Sequence, residues 1–177
     1  MKKLLSSFSL LLVGCMGMPE TVAPVQNFEL DQFLGKWYEV ARLDHSFERG
    51  LSEVSAEYSL KKDGSVKVLN RGYKREDNKW KSAIGKASFA EGADQGYLKV
   101  SFFGPFYSSY VVFDLGENYQ HAFVSGANTN YLWLLSRTPE ISPVLRDQFL
   151  NMAKERGFDT NAVIWVAQGA ENTPPME

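Results

Sequence analysis

Eight short stretches of alternating apolar and polar residues, each closed by a turn signal, confine this chain to an antiparallel β architecture. The alternation is clearest over residues 53–61. There Val54, Ala56, Tyr58 and Leu60 face one way, and Ser55, Glu57, Ser59 and Lys61 the other. Lys62-Asp63-Gly64 then reverses the chain, since Asp-Gly readily supplies the positive φ that a tight hairpin needs. Val66 and Val68 continue one face, with Asn70 as a polar group among them. Further strands are expected at 80–89, 98–102, 107–115, 119–125 and 131–136, after a first one running from Gly35 to Arg42. Eight strands with short turns and no helix between them predict an up-and-down barrel, whose interior is wide enough for one small ligand.

One helix follows the strands. Ser142 can cap it, Pro143 suits its first turn and Gly157 can end it. Leu145, Phe149 and Met152 form an apolar stripe for docking outside the barrel. A short final strand is expected at 163–167. The predicted fold is therefore all-β, with one C-terminal α-helix outside an eight-stranded barrel.

The chain start reads as a targeting segment over residues 1–14, with Lys2 and Lys3 ahead of a short apolar run. That run is too short to span a bilayer, which takes about 20 apolar residues. Residues 15–27 read as a tether, 28–169 as the barrel domain and 170–177 as a disordered tail. Cys15 is the one cysteine, so an internal disulfide is excluded. A formal charge of -2 and a pI near 5.8 argue against nucleic acid as a partner.

Three features resemble known families. Leu12-Val13-Gly14-Cys15 resembles the bacterial lipobox, which implies cleavage before Cys15 and lipid modification of its thiol. Met16 after the cysteine, where a retention signal would place Asp, implies the outer membrane of a Gram-negative cell. Gly35-Lys36-Trp37 resembles the Gly-X-Trp signature of the lipocalins, and Glu117-Asn118-Tyr119 is a loose match to their second shared region. Arg137, ending the eighth strand, matches their third, and stacked on Trp37 it would form a cation–π pair worth ~1–2 kcal/mol. Residues 35–50, 99–110 and 131–142 are similar to the outer-membrane lipoprotein lipocalins. That resemblance implies a membrane-tethered carrier of fatty acids or lysophospholipids, needing no cofactor or metal, and a homodimer as a further assembly state.

Following the alternation, the inward set is Ala56, Tyr58, Val68, Asn70, Val100, Phe102, Tyr110, Tyr131 and Trp133. These side chains either line a lipid pocket or fill a dry core. Burying about twelve methylenes at ~0.8 kcal/mol each gives ~10 kcal/mol before association costs. Micromolar affinity needs about 8. The alternative to a carrier is a structural or adhesive lipoprotein whose filled barrel binds a protein partner. Phe103 and Phe106 belong to an open-end turn, either clamped by local packing or forming an apolar lip. Residues 44–50 read as a solvated loop with internal ion pairs, His45 and Arg49 being the groups that could meet a phosphate. No Gly-X-Ser-X-Gly, phosphate-loop or His-Glu-X-X-His pattern is present, so no enzyme activity is expected.

Overall fold

A computed structural model describes residues 17–169; the targeting segment, Cys15 and the tail from residue 170 lie outside the described residues. Eight strands run in order around the barrel: β1 (Gly35–Arg42), β2 (Leu51–Leu60), β3 (Val66–Lys74), β4 (Lys79–Phe89), β5 (Tyr97–Phe103), β6 (Phe106–Leu115), β7 (His121–Ser125) and β8 (Leu132–Ser136). Each is antiparallel to its sequence neighbour, and β1 closes the ring by pairing with both β2 and β8. Closure leaves few strand edges to pair with another chain. A short helix α1 (Leu30–Phe33) lies beneath the start of β1, and helix α2 (Pro143–Glu155) packs outside. The short strand β9 (Ile164–Trp165) bonds to the far end of β1 beyond its β2 pairing.

Local chemistry accounts for these elements. Gly64 takes φ +78° in the β2–β3 turn, and its N–H donates to Lys61 O at 3.0 Å. Ser142 Oγ accepts from Leu145 N at 3.2 Å, capping α2, while Gly157 at φ +82° ends that helical segment. Phe149 and Ala153 are the fully buried residues of α2, with Leu145 and Met152 packed partly against the same core. Phe149 meets Phe123 of β7 edge-on at 5.1 Å, and burial of such a ring stabilises by about 1.5–3 kcal/mol. Thus one apolar layer joins helix to barrel wall, and a second fills the barrel interior.

Three expectations change. Residues 17–27 are docked along the wall: Val22 is buried, and Val25 exchanges backbone hydrogen bonds with Val112 and Gly96. Their apolar side chains and backbone groups find partners on β5 and β6, which a free tether would leave to water. Tyr119 does not begin a strand. It lies in a single 3₁₀ turn (Glu117–Tyr119) at φ +56°, held where its hydroxyl accepts from Glu29 N at 2.8 Å. The loop 44–50 is also only partly solvated, because it folds His45 and Glu48 inward over the mouth.

Candidate functional site

The barrel has a sealed end and an open one. At the sealed end Gly35 adopts φ +92°, a conformation that favours glycine, beside the guanidinium of Arg137. Arg137 sits over the Trp37 ring and donates to the carbonyls of Gln32 (2.7 Å), Lys36 (2.9 Å) and Tyr119 (3.3 Å). It thus ties α1, β1 and the turn before β7 to the end of β8. Trp37, fully buried, donates from Nε1 to Phe33 O at 2.8 Å. Phe33, Trp37, Tyr58 and Phe28 then pack ring to ring as a floor.

Above this floor the inward residues change character. Ala56, Tyr58 and Val68 are buried in the lower interior. Val100, Phe102, Tyr110 and Trp133 also face the interior cluster, yet each is only half-buried. Asn70 shares their level, and its buried Oδ1 has no hydrogen-bond partner among the described residues. Ala83, directly across from Asn70 on β4, is exposed. Inward residues reached by solvent define a cup that opens at the mouth. Tyr131 stands on its rim, stacked on Trp133 at 6.1 Å and 6.0 Å from the His45 ring. Tyr110 crosses the cup to Tyr58, their hydroxyls 2.8 Å apart. Burial first, and the Tyr58 hydroxyl second, push the Tyr110 phenol well above its ordinary value.

A buried polar cluster on one side of the mouth was not legible in the alternation. Glu39 is 3% exposed and bonds Arg42 Nη1 at 2.7 Å. Arg42 also donates from Nη2 to the carbonyls of Glu48 and Leu51, while its Nε finds no partner among the described residues. Glu48 Oε2 lies 2.9 Å from His45 Nε2, and Glu48 accepts from Trp133 Nε1 at 3.2 Å. Desolvation, then the neighbouring Glu48 charge, hold the Glu39 carboxyl well above the carboxylate range. Burial acts upward on Glu48 too, but the hydrogen bond and charge of His45, with further bonds from Glu39 and Trp133, bring it below its ordinary value. The cluster therefore biases its two carboxyls in opposite directions, Glu39 toward the neutral form and Glu48 toward the charged one, beside a fixed guanidinium. Arg49 stays outside, paired with Asp44 at 2.8 Å.

The cause of this departure is a bulge. β1 shifts register against β8 between Glu39 and Ala41, so Val40 and Ala41 join the outer core while Arg42 comes to lie across from Trp133. On β4 the inward positions are small: Ala83, Gly85 and Ala87. This stripe, present in the sequence, signals space in the barrel. At Gly85 the space is taken by Phe102, whose ring an added Cβ would meet at 2.8 Å. The rings of Phe103 and Phe106 stand out at the mouth, the former 76% exposed. Among the described residues no group of three or more His, Cys, Asp or Glu is placed to hold a metal ion.

Comparison with known proteins agrees with this architecture. The lipocalin-like domain family matches residues 28–168. The chain is 66% identical over 161 residues to the outer membrane lipoprotein Blc of Vibrio cholerae, covering 90% of this chain and 94% of that one. Against the Escherichia coli K12 protein of the same name identity is 47%, over 89% of this chain and 90% of the other. Among solved structures, insecticyanin from the tobacco hornworm superposes with a TM-score of 0.70 at 21% identity, covering 89% of both chains. With the sealed end, the closed ring of strands and the outer helix all in place, this chain belongs to the lipocalin family.

Proposed function

We propose that the chain is exported, cleaved before Cys15, acylated there and held on the outer membrane, where its barrel binds one acyl lipid, a fatty acid or lysophospholipid. The observation that carries this reading is the half-buried inward set Asn70, Val100, Phe102, Tyr110 and Trp133 above a sealed aromatic floor. An acyl chain entering from the mouth would meet apolar walls, and its polar head would meet Arg42, Asn70 and the Trp133 rim. Relatives named outer membrane lipoprotein support the location. The protein is a binding protein and carries out no chemistry on its ligand. A pairing of two chains, which the resemblance implies, would show as a doubled mass in solution.

The aromatic floor favours a second reading for the lower half alone: a barrel packed for rigidity, with a protein partner on its surface. Lipids carrying a bromine-labelled acyl chain separate the two. Titrated into the protein, they should quench Trp133, and the Trp133→Phe variant should lose most of that quenching while still binding. A bromolipid that leaves Trp133 emission unchanged at saturating concentration would overturn the carrier reading.

A further inference from the structure

On the outer face of the barrel β3, β4 and β5 present a cross-strand row: Lys67 opposite Lys86, and Lys86 opposite Ser101. Like charges directly opposite destabilise a sheet, so this pairing calls for an anion. The carboxylate of Asp63 reaches Lys86 at 3.3 Å and Lys61 at 3.9 Å. No described carboxylate lies within ion-pair distance of Lys67. The three lysines and Ser101 line one groove of about 380 Å³, which runs over Ile84 and Gly85 to Phe102, Gly104 and Tyr107 at the mouth. Its balance is positive on a chain whose formal charge is -2.

Two further observations say what this groove meets. Ser101 is 9% exposed, and its Oγ is buried with no hydrogen-bond partner among the described residues, an unmet donor beside three ammonium groups. One step toward the mouth the same face turns apolar, with Ile84 63% exposed and opposite Leu69. Phosphate beside hydrocarbon is the chemistry of a phospholipid surface.

The course of the N-terminal segment favours a bilayer as the source. Gly17 N donates to Ser109 Oγ at 3.0 Å and to the Tyr97 hydroxyl at 3.2 Å, so the first described residue is held against β5 and β6. Ser109 lies directly across from Lys99, two residues along β5 from Ser101. Cys15 stands two residues before Gly17 in the sequence, at most ~7 Å of chain.

We infer that the Lys61–Lys67–Lys86–Ser101 groove is a phosphate-recognising surface that seats the barrel wall on anionic phospholipid. The orientation argument rests on acylation of Cys15, but the groove itself does not, and its test uses no anchor. Residues 15–177 carrying Cys15→Ser retain every described element and can be floated with vesicles. The probes are vesicles of phosphatidylethanolamine alone, vesicles of equal parts phosphatidylethanolamine and phosphatidylglycerol, and inorganic phosphate.

Binding should favour the phosphatidylglycerol vesicles and weaken with salt. It should fall roughly fivefold for each of Lys67→Gln and Lys86→Gln. Lys154→Gln, on α2, should leave it unchanged. Ser101→Ala, which removes a donor and no charge, should also weaken it, as diffuse attraction to a basic patch would not. Equal binding by the parent and the Lys67→Gln/Lys86→Gln variant would overturn the proposal, as would an unaffected Ser101→Ala variant. So would saturable binding of inorganic phosphate without any preference for the anionic vesicles. Labelling of Cys15 with palmitate reads the anchor independently, so loss of the anchor and loss of the groove are distinguishable.

Discussion

The guanidinium of Arg137 lies 3.8 Å from the centre of the Trp37 ring, across the sealed end of the barrel. One side chain there joins the end of β8 to three backbone carbonyls of other elements and to an aromatic face. Arg137→Lys keeps the charge but replaces the planar fork with a point charge, so it should recover little. We expect Arg137→Ala to cost about 2–4 kcal/mol from the cation–π contact and the charged hydrogen bonds together. Urea unfolding midpoints at constant m-value check this.

Glu39 and Arg42 make the second prediction. Glu39→Ala leaves a buried guanidinium without its carboxyl partner and should cost about 3–5 kcal/mol. Glu39→Gln, a neutral group that can still accept from Arg42, should cost much less, because the native carboxyl is itself held toward its neutral form. The pH dependence follows. A raised native pKa means that the fold holds a proton which the unfolded chain has released above its ordinary 4.5. Stability should therefore fall as pH rises from that value through the native pKa, and Glu39→Gln should flatten this slope. Glu48, lowered in the fold, acts on the other side: its contribution is present above 4.5 and is lost as pH falls through its native pKa.

The hydroxyls of Tyr58 and Tyr110 satisfy each other inside the barrel. Tyr58→Phe alone strands the Tyr110 hydroxyl and should cost about 1–3 kcal/mol. The double change to Phe should cost less than the sum of the single changes, since it removes both polar groups together. A double-mutant cycle measures that coupling.

Gly85 concerns the shape of the cup. A Cβ there would meet the Phe102 ring at 2.8 Å and Ser101 O at 3.0 Å. Gly85→Ala should destabilise by about 1–3 kcal/mol. Phe102→Ala in the same chain should recover part of this loss, because only the ring contact can be relieved. Thermal unfolding of the single and double variants checks it.

The strands, their turns and α2 were legible in the sequence because each rests on a local signal: period-two alternation, Asp-Gly at a hairpin, Ser-Pro ahead of a helix. The inward positions on β2, β3 and β5 were legible for the same reason. Alternation fails where a bulge resets it. The shift between Glu39 and Ala41 brought Arg42 across from Trp133, and a second shift between Val112 and Asp114 obscured the parity of β6. His45 and Glu48 belong to a loop, whose path depends on Trp133, 85 residues after Glu48, and so on no local pattern. Residues 17–27 read as a linker because their contacts, from Gly17 to Ser109 and from Val25 to Val112, are long-range.

Native mass spectrometry of residues 15–177 with Cys15→Ser, purified without detergent, tests the central claim most directly. The cup should retain one acyl lipid per chain, whose mass identifies it as fatty acid or lysophospholipid. Val100→Asp should release it without unfolding the barrel, since Val100 is only half-buried. A protein that emerges bare, and stays bare after both lipids are added, would contradict the account.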